Sequence, residues 1–355
     1  MTLDDLRKEI DNLDEELLEI LNRRLEVVKT IGDLKRKSNT VIYRPEREKS
    51  IIDRLNKKNK GLLNRAAIEA LYLEIFAISR NLELPEKISY LGPEGSFTHQ
   101  AAESRFGAMS EYMSLSNIHA VFDSVKTGRA RFGVVPLENN QEGIVSETID
   151  MLGETELKIV AEIPMSIHFA FGSGEDSLNE VKKIYSKDIA FRQCRRFINE
   201  SFDNRNIELV PVNSTSKAVE IAKKEKGAAA ICSHIAAKIF NLPILFENIE
   251  DSADNFTRFL IIGKDFVNKS SGNDKTTILA KTSDKPGALV SFLQDFYNSG
   301  INLTKIESRP AKKGKNFKYW FFIDFEGHME DENVKPVMEK HKNGILWLGS
   351  YAKMC

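Results

Sequence analysis

An apolar stripe of helical spacing dominates the first 34 residues. Its positions recur three and four residues apart, which predicts one long amphipathic helix packed along the stripe. Arg24 stands in the stripe at a position where an apolar residue is expected. A guanidinium cannot lose its proton and is costly to bury unpaired, so we expect an anionic group to meet Arg24. The apolar members are Leu3, Leu6, Ile10, Leu13, Leu17, Ile20, Val27, Ile31 and Leu34.

The composition excludes several classes of protein. With 355 residues, of which 41% are hydrophobic, the chain predicts two or three domains. Because 51 Lys and Arg nearly balance 52 Asp and Glu, we expect no nucleic-acid partner and no membrane partner. No stretch approaches the length of a membrane span and no export signal follows Met1, so we expect a cytoplasmic protein. Cys194, Cys232 and Cys355 are unclustered, which favours free thiols, and we expect neither a metal nor another cofactor.

Three segments differ in their pattern. Residues 1–84 predict an all-α domain, with Thr2 capping the first helix and Pro45 opening the second. Residues 88–264 alternate short apolar runs with helical stretches, which predicts two α/β lobes with a cleft between them. After a polar linker, residues 274–355 follow the strand-helix-strand-strand-helix-strand order of an α+β ferredoxin-like unit.

Polar residues near the helical stripe predict an anion site. Lys35 lies three turns after Arg24, and Ser79 and Glu83 lie one turn apart on the third helix; taken singly, these three fit ordinary surface positions better. Arg7 lies about 25 Å before Arg24 along the helix, so the two cannot share a small ligand within one chain. Antiparallel pairing with a second copy would bring them together, which predicts a homodimer with composite sites; a tetramer stays open.

The first segment resembles the all-helical chorismate mutases. The resemblance rests on Leu6-Arg7-Lys8-Glu9-Ile10-Asp11, Asn22-Arg23-Arg24, Lys35, Arg47-Glu48, Ser79 and Glu83. It implies an intertwined dimer that rearranges chorismate to prephenate. It further implies that Arg24 and Arg7 of the partner subunit hold the two carboxylates. Lys35 and Glu83 would face the ether oxygen, Glu48 the ring hydroxyl, and Ser79 and Arg47 would support them. Arg44 departs from the family, where Asp is common.

The second segment resembles prephenate dehydratases. From residues alone, Gly92-Pro93-Glu94-Gly95-Ser96 fits an anion-holding turn or an ordinary one. The resemblance rests on this run, on Glu138-Asn139 and, above all, on Asn255-Phe256-Thr257-Arg258-Phe259. It implies a two-lobed, periplasmic-binding-protein-like domain with Thr257 as the catalytic residue. The implied substrate-binding residues are Ser96, Glu138, Asn139, Ser214, Thr215, Asn255, Thr257 and Arg258. For Arg258 we also keep the alternative that it only pairs with a neighbouring carboxylate. Asn140 and Lys187-Asp188 depart from common family residues.

The third segment resembles the ACT domains attached to prephenate dehydratases. The matching runs are Gly287-Ala288-Leu289-Val290 and Glu307-Ser308-Arg309, and each run alone would read as a turn or strand end. By this resemblance both runs bind phenylalanine at a dimer interface, and the amino acid inhibits the dehydratase.

These resemblances together predict a chorismate mutase domain at 1–84, a dehydratase domain at 88–264 and an ACT regulatory domain at 274–355. The expected function is conversion of chorismate to prephenate and then to phenylpyruvate for phenylalanine biosynthesis, with feedback by phenylalanine. Two alternatives stay open: a dehydratase acting on arogenate, and a non-catalytic regulator that binds an amino acid.

Overall fold

The described part of the chain divides into two compact units. A computed structural model describes residues 2–38, 45–83, 87–202, 206–252, 254–264, 266–283, 285–310 and 319–353, with the side chains of residues 35–38 outside the description. The first unit contains the N-terminal helices and residues 106–111, and the second contains the rest. Lys35 is therefore described only as backbone, while Arg44 lies outside the described residues. No helix of the described ranges is both long and apolar enough to cross a bilayer.

The first unit is all-helical, as predicted. Its helices are α1 (Leu3–Ser38), α2 (Pro45–Lys58) and α3 (Arg65–Glu83). A reciprocal cap begins α1: Asp5 N donates to Thr2 Oγ1 at 3.2 Å, and Thr2 N donates to Asp5 Oδ2 at 2.8 Å. Pro45 occupies the first position of α2, where its missing N–H costs no helical hydrogen bond.

The apolar stripe of α1 is not the face that packs within the chain. All nine apolar stripe residues are exposed, from 38% at Ile31 to 64% at Leu3. The residues that α1 buries against its own unit are Val28 and Gly32, and Arg24 lies half-buried one turn before Val28. An added Cβ at Gly32 would lie 3.1 Å from the Cα of Glu83, so α1 and α3 are in close contact there. The stripe is thus left uncovered in a single chain.

The second unit contains the two predicted α/β lobes. The first lobe consists of β1 (Lys87–Leu91), α4 (Phe97–Phe106), β2 (Glu111–Leu115), α5 (Ile118–Lys126), β3 (Phe132–Asn139), β4 (Gly143–Ile144), α6 (Ser146–Glu154) and β5 (Lys158–Ser166). The second lobe consists of β6 (Ala170–Ser173), a 3₁₀ turn (Leu178–Glu180), β7 (Lys183–Ser186), α7 (Asp188–Gln193), α8 (Arg195–Phe202), β8 (Glu208–Pro211), α9 (Thr215–Ala222), β9 (Ala228–Cys232), α10 (His234–Phe240) and β10 (Ile244–Phe246).

The chain then returns to the first lobe through β11 (Phe256–Gly263). The first sheet has the order β2-β1-β3-β11-β5, with β4 beside β3, and the second has the order β10-β6-β9-β7-β8. Strand β11 is antiparallel to both β3 and β5. The chain therefore crosses between lobes twice, and the returning strand places Thr257 inside the first sheet.

The last part of the second unit has the predicted ferredoxin-like order. Its elements are β12 (Asp274–Ala280), α11 (Ala288–Asn298), β13 (Leu303–Pro310), β14 (Tyr319–Glu326), α12 (Lys335–Lys340) and β15 (Ile345–Ala352). The antiparallel sheet has the order β13-β14-β12-β15. Helices cover one face over a core that includes Phe292, Phe296, Ile323 and Phe325.

The other face of this sheet packs on the first lobe. Phe322, Leu348 and Tyr351 share one hydrophobic core with Leu260 and Ile262 of β11. The two sheets lie close together at Gly349, where an added Cβ would lie 2.3 Å from the carbonyl oxygen of Ile159 on β5.

The connecting segment after β11 is tied down along this junction. Phe266 packs against Phe132 with ring centroids 6.0 Å apart. The Asn268 amide donates to the carbonyl oxygens of both Val160 and Ser350 at 2.8 Å. The predicted linker therefore joins its neighbours through specific contacts.

Candidate active sites

In the helical unit, Arg24 meets a hydroxyl. Its Nη1 donates to Ser79 Oγ at 2.6 Å, and Ser79 Oγ donates to the carbonyl oxygen of Ile75 at 2.6 Å. Among the described residues no carboxylate pairs with Arg24, so its charge stays available to an anionic ligand. Within the described ranges, the group that meets Arg24 is therefore the neutral hydroxyl of Ser79, and the expected anion would have to come from a ligand.

Three more polar side chains are buried around α2 and α3. Glu83 is 8% exposed and lies one turn after Ser79. Glu48 of α2 is 9% exposed and forms an ion pair with Arg80 of α3, which also donates to the carbonyl oxygen of Phe106 at 3.2 Å. Sequence reasoning missed Arg80, although an arginine between Ser79 and Glu83 on an apolar helix was a usable signal. By holding Glu48, Arg80 fixes where that carboxylate lies.

Within a single chain, the structure does not place the remaining predicted mutase residues beside Arg24 and Ser79. The Arg7 side chain is 67% exposed and pairs with Asp4 at 3.5 Å near the start of α1. Arg47 is exposed, and the Lys35 side chain lies outside the described residues. One chain therefore assembles Arg24, Ser79 and Glu83 without Arg7.

In the α/β unit, Thr257 is bonded to Asn139. The two residues face each other across β11 and β3, and Asn139 Nδ2 donates to Thr257 Oγ1 at 2.8 Å. Backbone N–H groups of Gln141 and Glu142 donate to Asn139 Oδ1 at 2.9 and 3.0 Å. These bonds polarise the amide and strengthen its donation to Thr257, because hydrogen bonds in a chain reinforce one another. Since the threonine oxygen accepts here, its own hydrogen can be donated to a ligand.

The same cluster joins the two lobes. Asn139 Nδ2 also donates to Asn255 Oδ1 at 2.9 Å, and Asn255 Nδ2 donates to Gln193 Oε1 at 3.1 Å. Gln193 ends α7 in the second lobe and donates to Gln141 Oε1 of the first lobe at 2.7 Å. Thr257 therefore lies in a polar network that spans both lobes.

Glu138 and Arg258 face away from this network. They pair in register on β3 and β11, one position along from Asn139 and Thr257, so their side chains point to the opposite face of the sheet. Arg258 Nη1 lies 3.2 Å from Glu138 Oε1. Burial raises the pKa of Glu138, but the hydrogen bond and charge of Lys305, with the charge of Arg258, outweigh it and hold that pKa below its ordinary value. Arg258 thus pairs with a neighbouring carboxylate, and its role as a substrate-binding residue stays a prediction.

Ser96 and Ser214 lie at helix N-termini, one in each lobe. Ser96 Oγ accepts from His99 N at 3.3 Å and donates to the Leu91 carbonyl oxygen at 3.1 Å, while Ser214 Oγ accepts from Lys217 N at 3.0 Å. Both hydroxyls therefore serve their own helices, and Thr215 is buried beside Ser214.

The lobes approach each other near the Ser96 turn. An added Cβ at Gly95 would lie 3.0 Å from Ser216 Oγ, and Ser233 Oγ donates to the Gly95 carbonyl oxygen at 2.6 Å. Burial lowers the pKa of His99, whose Nδ1 accepts from Gly95 N at 3.2 Å. Ser216 Oγ is buried and has no hydrogen-bond partner within the described ranges. Sequence reasoning missed this hydroxyl, which offers a ligand a donor between the lobes.

Comparison with known proteins assigns these sites to a family. A model described as chorismate mutase type II matches residues 6–84, prephenate dehydratase matches residues 88–266, and an ACT domain matches residues 276–343. The bifunctional chorismate mutase/prephenate dehydratase of Aquifex aeolicus is 45% identical over 358 residues, covering 99% of this chain and 98% of its own length. The chain belongs to the bifunctional chorismate mutase/prephenate dehydratase family.

Further relatives support the same assignment. The bifunctional chorismate mutase/prephenate dehydratase of Pseudomonas aeruginosa is 39% identical over 357 residues, covering 98% of this chain and 97% of its own. The crystal structure of prephenate dehydratase from Arthrobacter aurescens in complex with L-Phe matches with a TM-score of 0.68 at 31% identity. It covers 75% of this chain and 90% of that chain.

The ACT runs of this family member lie on two elements. Gly287 precedes α11 with a φ of 79°, and nothing lies within 4 Å of a Cβ added there. It opens the run Gly287, Ala288, Leu289 and Val290, of which Val290 is 68% exposed. On β13, Ser308 is exposed, whereas Glu307 is half-buried.

Arg309, predicted to bind phenylalanine, contacts the dehydratase part in this structure. Its Nη1 donates to Ser146 Oγ at 2.8 Å, and its Nη2 lies 3.3 Å from Asp150 Oδ1. Both partners belong to α6 of the dehydratase part. Within the described part of the chain, no group of three His, Cys, Asp or Glu side chains is placed to hold a metal ion.

Proposed function

We propose that this chain converts chorismate to prephenate in its helical unit and prephenate to phenylpyruvate at Thr257. The Asn139–Thr257 hydrogen bond carries the second assignment, because it leaves the threonine hydrogen free for the substrate. For the first, Arg24 offers an uncompensated cation beside the buried Ser79 and Glu83.

The mutase step is a unimolecular rearrangement. It requires no nucleophile, only a pocket that holds a compact conformer and stabilises charge on the ether oxygen. Arg24 binds one carboxylate, with Ser79 holding its guanidinium in place. Lys35 and Glu83 serve the ether oxygen, and a Glu can donate there only while protonated.

The dehydratase step breaks two bonds. Electrons of the bond to the leaving carboxylate enter the ring as carbon dioxide departs, and the ring hydroxyl leaves with its bonding pair. Aromatisation drives this loss, so the protein has mainly to stabilise the departing oxygen. Thr257 donates a hydrogen bond to that oxygen, strengthened by the amide of Asn139 behind it. Ser216 supplies a further donor between the lobes.

Two substitutions should separate the activities. With chorismate as substrate, Arg24→Ala should lower mutase kcat/KM by about 10²-fold or more, because a charged hydrogen-bond contact to the anion is lost. With prephenate as substrate, Thr257→Ala should lower dehydratase kcat by a similar factor. Each variant serves as the control for the other activity. Loss of both activities in either variant, with the fold intact, contradicts the assignment.

The regulatory proposal is feedback by phenylalanine at Gly287 to Val290 and Glu307 to Arg309. Support comes from the ACT match and from the exposure of both Ser308 and Val290. An effector inhibits only if it binds one conformation better than another. Ser308→Ala and Gly287→Val should therefore reduce inhibition while turnover without phenylalanine is retained. Undiminished inhibition curves in both variants would reject this site.

The proposed assembly is a homodimer joined along α1, with further pairing to a tetramer open. Nine exposed apolar residues on one helix form a surface that an antiparallel copy of α1 would cover. This pairing brings Arg7 of the partner subunit toward Arg24 and completes the mutase site. A cytoplasmic location is part of the proposal, since Cys194 and Cys232 are buried free thiols.

A further inference from the structure

Six charged side chains meet where the ACT sheet packs on the dehydratase sheet. The dehydratase part contributes one basic and two acidic side chains, a net charge of −1. The ACT part contributes two basic side chains and one acidic side chain, a net charge of +1, so the two parts neutralise each other. The junction is therefore complementary in charge as well as in apolar surface. The dehydratase members are Arg258, Glu138 and Glu162, and the ACT members are Lys275, Lys305 and Asp324.

Arg258 is the centre of this network. Its Nε donates to Glu162 Oε2 at 2.6 Å, and its Nη1 donates to Asp324 Oδ2 at 2.6 Å. Its Nη2 donates to the Tyr351 hydroxyl at 3.0 Å. All three guanidinium nitrogens are thus bonded, and two of them bond to the ACT part.

The ACT partners of Arg258 are joined to each other through Thr277, so that together with the guanidinium they form a closed ring. Thr277 Oγ1 donates to Asp324 Oδ1 at 2.6 Å, and the Tyr351 hydroxyl lies 2.8 Å from Thr277 Oγ1. Because the Thr277 hydrogen is committed to Asp324, the tyrosine must donate to Thr277. Asp324 is 1% exposed, and Thr277 and Tyr351 are 0% exposed, so the ACT side of the ring is closed to solvent. Such a buried ring fixes the direction of each member.

The residue that this ring holds is the neighbour of Thr257. Side chains alternate along β11, so Arg258 points to the ACT sheet while Thr257 points to Asn139. The β11–β3 register also shifts between Arg258 and Phe259, which makes the strand irregular at this point. A cavity of about 280 Å³ borders both Arg258 and Thr257.

We propose that Asp324 and Tyr351 of the ACT part are positioning residues for the dehydratase reaction, acting through Arg258 to orient Thr257. The inference rests on the proposed catalytic role of Thr257. It makes the ACT sheet a structural part of the dehydratase site when no phenylalanine is bound, in addition to any inhibitory role.

The test uses the full chain, with prephenate as substrate and no phenylalanine. Asp324→Asn should lower dehydratase kcat about tenfold or more with KM changed less than about threefold, and Tyr351→Phe should lower kcat by a smaller factor. Chorismate turnover of each sample checks the rest of the chain and should not change. Asp295→Asn is the matched control, because Asp295 pairs at 2.7 Å with Lys340 and His341 inside the ACT part.

A double-mutant cycle decides whether the effect passes through Arg258. In an Arg258→Lys background, Asp324→Asn should cost almost nothing further, since the oriented bond is already gone. Additive losses in that background, or unchanged kcat in both single variants, would overturn the proposal. If Asp324→Asn fails to fold, Tyr351→Phe decides, because it removes one oxygen and no charge. Full dehydratase turnover in Thr257→Ala would instead refute the proposed catalytic role of Thr257, on which the positioning proposal rests.

Discussion

Side chains along β3 and β11 point alternately to the two faces of the sheet, and this decides which predicted residues can act together. Asn139 and Thr257 bond on one face, while Glu138 and Arg258 pair on the other. Sequence alone predicts that neighbours on a strand point apart. It does not show that the second face is covered by the ACT sheet, because that contact joins residues far apart in the chain. For this reason four of the predicted substrate-binding residues divide into one pair on the face of the proposed active site and one pair at the ACT junction.

Asn139→Asp should test the polarised donor behind Thr257. The substitution keeps shape and the acceptor oxygen but removes the N–H that reaches Thr257 Oγ1 at 2.8 Å. We expect dehydratase kcat to fall about 10²-fold with mutase turnover unchanged, because the threonine hydroxyl loses its partner. Asn117→Asp is a matched control: Asn117 Oδ1 caps α5 by accepting from Ala120 N at 2.8 Å, which Asp does equally well, and among the described residues the amide donates only to the exposed Ser116 Oγ at 3.3 Å. Equal kcat values in the two variants would contradict this role.

Among helices and strands, α1 shows what a spacing pattern can and cannot predict. The helix, its Thr2 cap and its amphipathic character follow from the sequence and are confirmed. The face that packs on α3 is not the apolar stripe, since Val28 and Gly32 are buried while Val27 and Ile31 are exposed. Spacing identifies an apolar face but does not say whether the same chain or a second copy covers it.

A charged residue introduced into the apolar stripe of α1 should dissociate the proposed dimer into monomers. Leu13→Asp places a carboxylate where an antiparallel copy would pack, and we expect sedimentation equilibrium to show monomer with mutase activity lost. Dehydratase turnover reports whether the rest of the chain is folded. As a control, Leu62→Asp alters a residue that is fully exposed in the turn between α2 and α3. An unchanged mass for Leu13→Asp would reject the α1 interface.

The junction of β15 with β5 depends on Gly349. Gly349→Ala would place a Cβ about 2.3 Å from the Ile159 carbonyl oxygen, so the strands must separate. We expect a destabilisation of about 1–3 kcal/mol in chemical denaturation of the second unit. Gly174→Ala is the control, because nothing lies within 4 Å of a Cβ at that position. Equal stabilities of the two variants would show that the junction is not packed as described.

For the chain as a whole, the order of the three domains can be predicted from the sequence. The packing of the ACT part on the dehydratase part cannot. The helical, two-lobed and ferredoxin-like patterns each predict the observed secondary structure in their own segment. The ACT sheet nevertheless shares a hydrophobic core with the dehydratase sheet, and Asn268 bonds to both. A polar segment such as residues 265–274 is typical of a flexible linker, and only the burial of Phe266 and Asn268 shows otherwise.

One chain is proposed to catalyse two consecutive steps at separate sites. The most direct measurement supplies chorismate to purified Thr257→Ala and to the unaltered chain, and follows prephenate and phenylpyruvate separately over time. The unaltered chain should form phenylpyruvate through a prephenate intermediate, while Thr257→Ala should accumulate prephenate at the unaltered mutase rate. Phenylpyruvate formed by the variant at the unaltered rate, or prephenate formation slowed with it, would contradict the account.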